Sequence, residues 1–255
     1  MKKYISPIFL SAIMFISCSH GSGTRQAEVA QADTQTVADT GYTGIRRYFS
    51  GRFLVNEVTL INGIREGKQT TFYPSGKPRQ VFMYKKGLKE DTATWFYEEG
   101  QVFRKTPFRH DSMDGIQIQY YRTGELRARL KFINGSRMSD LEEFTKEGNK
   151  ITSYPSITEQ ITDNYKTNGV YNIVLRLDKP GVPVTFYRGD LTPEGLFMPA
   201  QLKKIGGSET EAILKLRKGQ TVTGNSLTII AEISTALGNK HIEVKKISLP
   251  YNDLN

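Results

Sequence analysis

One cysteine, three histidines and one tryptophan are all that this 255-residue chain holds of its scarcest side chains. A single thiol excludes an intrachain disulfide and a thiolate zinc site. The histidines, His20, His110 and His241, fall in a polar stretch, a hairpin turn and the start of a late strand, with no partner at metal-binding or triad spacing. Glycine-rich phosphate loops and serine elbows are missing too. Two adjacent carboxylate pairs remain, Glu98-Glu99 and Glu142-Glu143. The first sits in a turn and neighbours on a strand point to opposite faces, so both pairs read as solvated charge, not as a general acid and base. The expectation is a protein that is not an enzyme and takes no cofactor or metal. An unrecognised hydrolase, with carboxylates converging through the fold, is the catalytic alternative.

Long apolar runs are also lacking beyond the amino terminus, where Lys2 and Lys3 precede a stretch from Ile5 to Ile16 too short to span a bilayer as a mature helix. It reads as a secretory signal. Phe15-Ile16-Ser17-Cys18 follows directly and resembles a bacterial lipoprotein processing site, with Phe15 where that family usually has Leu. The resemblance implies a signal peptide over 1–17 and lipid on Cys18, which would consume the only thiol. Residues 18–40 are rich in Gly, Ser, Thr, Gln and Ala and read as a flexible tether. Ser19 is not acidic, which favours an outer-membrane address within the cell envelope.

Formal charge is +9, and losing Lys2 and Lys3 with the leader leaves +7. A basic exported chain fits an acidic envelope protein, an anionic lipid surface or a glycan, and not nucleic acid.

What the chain has in quantity is repetition. Phe72-Tyr73, Phe96-Tyr97 and Tyr120-Tyr121 recur every 24 residues, each followed by Gly76, Gly100 or Gly124 three positions on. Such a period marks a small unit that must stack on its neighbours to bury an apolar face. Within each unit alternation runs up to the glycine turn and back, so each unit is a two-stranded hairpin over 41–151. The glycines supply the positive φ that a three-residue hairpin loop needs. Asn62-Gly63, Lys86-Gly87 and Asn134-Gly135 make the second reversal, whereas His110-Asp111 departs from it and predicts a different turn. Asp91 replaces the glycine found at Gly67 and Gly115. Taken together, these columns resemble the bacterial MORN-repeat variant family over about 110 of the 255 residues. Members often carry an antitoxin label, which an exported lipoprotein would not share a compartment to fulfil.

From Thr162 the repeat stops, and short strands separated by turn signals predict a small antiparallel β-sandwich over 162–255. Its closing hairpin around Leu237-Gly238-Asn239-Lys240 resembles that of immunoglobulin-like domains. The chain as a whole is therefore expected to be all-β.

An even period places equivalent residues on one face. With position 71 opposite 79, one face gathers Phe72, Phe96, Tyr120 and Phe144 with Phe82, Tyr84, Phe108, Leu130 and Phe132, and is the expected core. The other gathers Tyr73, Trp95, Tyr97 and Tyr121 beside Arg79, Phe103, Lys105, Arg127 and Arg129. That aromatic and basic face either shields the sheet or binds a partner, with Trp95 the foremost contact candidate. The functional expectation is an interaction scaffold using this face; a carbohydrate- or lipid-headgroup-binding module is the alternative.

Overall fold

The computed structural model describes residues 41–219 and 224–254. Cys18, the leader and the tether lie outside them. In chain order the strands are β1 (Gly44–Ser50), β2 (Phe53–Ile61), β3 (Ile64–Phe72), β4 (Pro78–Lys85), β5 (Leu88–Phe96), β6 (Val102–Arg109), β7 (Ser112–Met113), β8 (Gly115–Tyr120), β9 (Leu126–Ile133), β10 (Ser136–Phe144) and β11 (Lys150–Ile151). There follow β12 (Ile157–Asn164), a short helix α1 (Tyr165–Asn168), β13 (Val170–Leu177), β14 (Val184–Arg188), β15 (Leu196–Phe197), β16 (Lys203–Lys204), β17 (Glu211–Arg217), β18 (Ser226–Ser234) and β19 (Lys240–Ser248). The chain is all-β, as its alternation and turn signals require.

Strands β1 to β11, with β15 added against β10, make one twelve-stranded antiparallel sheet in which sequence neighbours are mostly spatial neighbours. Two smaller sheets, β12-β13-β17 and β16-β14-β18-β19, share a core of Ile173, Leu175, Leu216, Phe186, Ile229 and Ile233. The repeat sheet and these two sheets belong to one compact unit, Ala38–Asn255.

Each hairpin turn repeats the same bonds: the Tyr73 amide donates to the Lys77 carbonyl at 2.9 Å and the Gly76 amide to the Tyr73 carbonyl at 2.9 Å, with Gly76 at φ +81°. The second reversal is also uniform, contrary to expectation. His110 and Asp111 have φ of 47° and 67°, close to 51° and 85° for Lys86 and Gly87. Asp91 likewise takes φ 62° where Gly67 has 80°. Asp, Asn and His enter the left-handed region more readily than other residues with a side chain, so the middle unit keeps the geometry without the glycines. Asp91 adds a local tie, its Oδ1 accepting from the Thr92 amide at 2.7 Å.

The expected division of the faces is wrong in one systematic respect. Phe72 pairs with Pro78, but Thr71 pairs with Gln80, which leaves Arg79 as an extra residue on the return strand. Phe103 and Arg127 are extra in the same way, as is Val55 in the first hairpin. A one-residue bulge carries every following side chain to the opposite face. Directly paired residues therefore form a row across the sheet of Asn56, Thr71, Gln80, Trp95, Arg104, Gln119, Ala128 and Glu143. Phe82, Tyr84, Phe108, Leu130 and Phe132 share this row's face, which is the buried one; Val58, Leu60, Ala93, Thr106 and Gln117 are buried on it too. Phe72, Phe96, Tyr120 and Phe144 instead occupy the opposite face, half-buried, along with Lys105 and Arg129. Tyr73, Tyr97, Tyr121 and Trp95 thus sit on the core side of the sheet.

Candidate functional site

Each tyrosine of the repeated column stands at the first position of a hairpin turn, and its hydroxyl reaches into the next unit. Tyr73 donates to the Phe96 carbonyl at 2.7 Å, Tyr97 to the Tyr120 carbonyl at 2.9 Å and Tyr121 to the Phe144 carbonyl at 2.7 Å. The 24-residue period is what makes this possible, since every turn meets the strand end of its successor in the same register. The column is thus a series of ties between units. Burial pushes the Tyr121 hydroxyl pKa up, with Arg127 acting in the opposite direction.

Trp95 is packed by its own neighbours. The Arg104 guanidinium carbon lies 3.9 Å from its ring centre, and Phe82 meets it edge-on at 5.3 Å. Burial lowers the Arg104 pKa. Lys89 Nζ lies 5.4 Å from the Phe82 ring centre and 5.6 Å from that of Phe108. Arg79 stays exposed beside its hairpin turn, 6.0 Å from the Tyr73 ring centre. The rings of Trp95, Phe82, Phe108 and Tyr73 are therefore already matched with the chain's own cations.

Tyr97, Tyr121 and Arg127 are brought together. With Arg122, Thr123, Lys146 and Leu237 they line an open cleft of about 380 Å³. The bulge that makes Arg127 an extra residue turns it toward the sandwich, where its guanidinium donates to the Leu237 carbonyl at 2.5 Å. Arg122 covers the Tyr97 ring at 4.6 Å and pairs with Glu99. One wall of the cleft is thus built from repeats and the other from the β18–β19 turn. Arg122 and Lys146 carry a sequence signal, for each directly follows the tyrosine position of its unit; Leu237 carries none, because only the tertiary fold brings it there.

At the same β18–β19 turn lies the largest departure from the expected burial. Glu142 is partly exposed and ion-paired with Lys150 at 2.7 Å and Arg129 at 3.6 Å, which hold its carboxyl below the usual range. Glu143, expected to be solvated, is only 1% exposed. One of its oxygens accepts from the Thr235 hydroxyl at 2.7 Å and the Asn239 amide at 2.8 Å; the other accepts from the Tyr154 hydroxyl at 3.3 Å. Asn239 in turn accepts from the Gln119 amide at 2.8 Å. Period-two alternation correctly separates Glu142 from Glu143, but the side that turns inward is decided by what docks on the sheet. His241 also has neighbours that its sequence position conceals: it stacks on Tyr154 with ring centres 4.0 Å apart and lies 3.6 Å from Glu243. His110 lies 3.5 Å from Glu90, at an exposed turn. A second cavity, about 550 Å³, opens in the sandwich beside Phe186, Ile205, Lys204 and Lys240.

The model of the MORN repeat variant matches residues 65–86 and 113–134. The two matches begin two periods apart and omit the unit holding Asp91 and His110-Asp111, whose residues differ although its backbone does not. They support a MORN-type repeat for the sheet. No curated protein matches the chain.

Proposed function

We propose that this protein is a non-catalytic interaction scaffold of the bacterial cell envelope, lipid-anchored through Cys18 and held at the outer membrane, whose partner contact centres on the cleft between the repeats and the sandwich. The cleft carries the reading. It is the place where three expected contact residues, Tyr97, Tyr121 and Arg127, converge with Arg122 and Lys146 around open space. Its basic lining suits an acidic protein segment. The lipid anchor rests on the resemblance of Phe15-Ile16-Ser17-Cys18 to a processing site.

A photo-crosslinking residue at Lys146, compared with one at exposed Lys215 on β17, tests the contact in intact cells. The reading expects a discrete adduct from position 146 that weakens at least tenfold in an Arg127→Glu, Arg122→Glu background. Identical adduct patterns from both positions would sink it. Cys18→Ala separately tests the anchor: the folded chain should leave the membrane fraction. The glycan-binding alternative is disfavoured because sugar stacking on Trp95, Phe82 or Phe108 must first displace Arg104 or Lys89.

A further inference from the structure

The two ends of the repeat sheet are finished differently. At the carboxyl end β10 is covered by β11 and β15, and Glu143 and Arg127 bind the β18–β19 turn. At the amino end β1 pairs only with β2 among the described residues. Among the described residues, eight of the thirteen exposed large apolar side chains fall between Tyr42 and Ile64, in or beside this first hairpin: Tyr42, Ile45, Tyr48, Phe49, Phe53, Val55, Ile61 and Ile64. A terminal unit of a repeat array normally turns a polar face outward, and this one does not.

Among the described residues the other sheet edges are short or contacted along part of their length. Strand β12 is held by Lys245, which donates to the Ile157 carbonyl at 3.0 Å and pairs with Glu159. The free side of β17 is bridged near both ends, by Gly207 with Ala212 and by Lys218 with Leu254. Strand β19 lies against β10, and β16 is two residues long. Strand β1 is seven residues without proline, and the bulge in its hairpin belongs to β2. Among the described residues no other strand pairs with its outer edge, where the Ile45 carbonyl accepts from the Tyr42 hydroxyl at 3.0 Å.

We propose that this edge pairs with the same edge of a second copy of the chain, antiparallel and centred on Arg47. The sequence of β1, Gly-Ile-Arg-Arg-Tyr-Phe-Ser, is self-complementary in that register. Full overlap puts Ile45 opposite Phe49 of the other copy, and Arg46, which also lies 4.6 Å from the Tyr42 ring centre of its own chain, opposite Tyr48, each pair occurring twice. The aliphatic–aromatic and cation–aromatic combinations are those that stabilise cross-strand neighbours. Small Gly44 and Ser50 meet at the ends. The one like-charged meeting is Arg47 with Arg47, and each is already paired with its own Glu57 at 2.7 Å. Two twelve-stranded sheets then join into one, and the cleft near Leu237 lies at the far end of each copy.

Register-specific crosslinking decides the matter. Across an antiparallel pair the central residue faces itself with Cα atoms about 4.5–5.5 Å apart, within disulfide reach. Full-length chain with Cys18→Ser and Arg47→Cys should give, under mild oxidation, a band at twice the 28.8 kDa monomer mass. Ser50→Cys and Lys215→Cys should give a band at least tenfold weaker. Adding Ile45→Lys and Phe49→Lys to the Arg47→Cys chain should remove most of the band, and by light scattering the unmodified full-length chain should show twice the monomer mass. A band at position 47 no stronger than at position 50, one insensitive to the two lysines, a monomeric unmodified chain, or adducts at position 47 with other proteins only would each overturn the proposal.

Discussion

Replacing Glu143 with Ala should uncouple the repeat sheet from the sandwich, and the structure sets the size of the effect. The side chain is 1% exposed and accepts three hydrogen bonds, two near 2.8 Å from Thr235 and Asn239 and a longer one of 3.3 Å from Tyr154. Each good hydrogen bond contributes about 1 kcal/mol net, and a buried donor left without an acceptor costs about 1–3 kcal/mol. Two orphaned donors and a weaker third then give about 3 kcal/mol. For a folded unit of this size that corresponds to roughly 6–12 °C in melting temperature. Glu143→Gln keeps one acceptor oxygen and should lose about half as much. The assay is urea unfolding followed both by circular dichroism and by fluorescence of Trp95, the only tryptophan, which reports on the repeat sheet. In the unaltered protein the two signals should coincide; in Glu143→Ala they should separate. A loss below about 0.5 kcal/mol, with the two signals still coincident, would refute the view that this carboxyl group joins the two halves. A double-mutant cycle with Asn239→Ala supplies the coupling directly and should return about 1 kcal/mol.

Tyr97→Phe removes a single hydroxyl that ties one unit to the next at 2.9 Å, and should cost about 1 kcal/mol in the same urea assay without altering circular dichroism. Gly100→Ala meets no atom within 4 Å but must hold φ +109°, a loss of about 1 kcal/mol, whereas Gly207→Ala would place its Cβ 2.1 Å from the Glu211 carbonyl oxygen and should be the more damaging of the two by thermal melting. His241 has its pKa lowered from 6.5, first by burial and further by Arg137, against the raising effect of Glu243 and Glu143. The unfolded chain therefore binds this proton more readily than the folded one. The contribution of a neutral His241 is complete above about pH 6.5 and is lost as pH falls toward the depressed folded value. Stability measured between pH 7.5 and 5.5 should fall on acidification, and His241→Gln should flatten that slope.

The period, the turn glycines and the strand succession of the repeats were legible because each is a local demand: a three-residue loop needs a residue with positive φ, and alternation shows directly in the residue order. Part of the sandwich was legible for the same reason, since β13, Val170–Leu177, alternates, but β12 begins at Ile157, ahead of the expected start at Thr162. The facing of the return strands was not. Arg79, Phe103 and Arg127 look like ordinary members of an alternating strand, yet each is the extra residue of a bulge, and one unpaired residue exchanges core for surface. His110-Asp111 misled in the opposite sense, since a pair unlike Asn-Gly adopts the same backbone. Of the candidate site, Tyr97, Tyr121 and Arg127 could be named from the columns. Leu237 and the burial of Glu143 depend on a hairpin more than ninety residues away in sequence, which no local pattern encodes.

The succession of strands in the large sheet also determines how the protein answers to force. Because β1 to β6 lie side by side in sequence order, a pull applied at the amino end of β1 loads one inter-strand ladder at a time. Such a sheet peels, each hairpin yielding before the next feels tension. The hydroxyls of Tyr73, Tyr97 and Tyr121 then act as catches spaced one per unit, and the β18–β19 turn seated on β10 as the final stop. A chain held to a surface at its amino end would lengthen in steps, giving up its first hairpins while the cleft at the opposite end stayed intact.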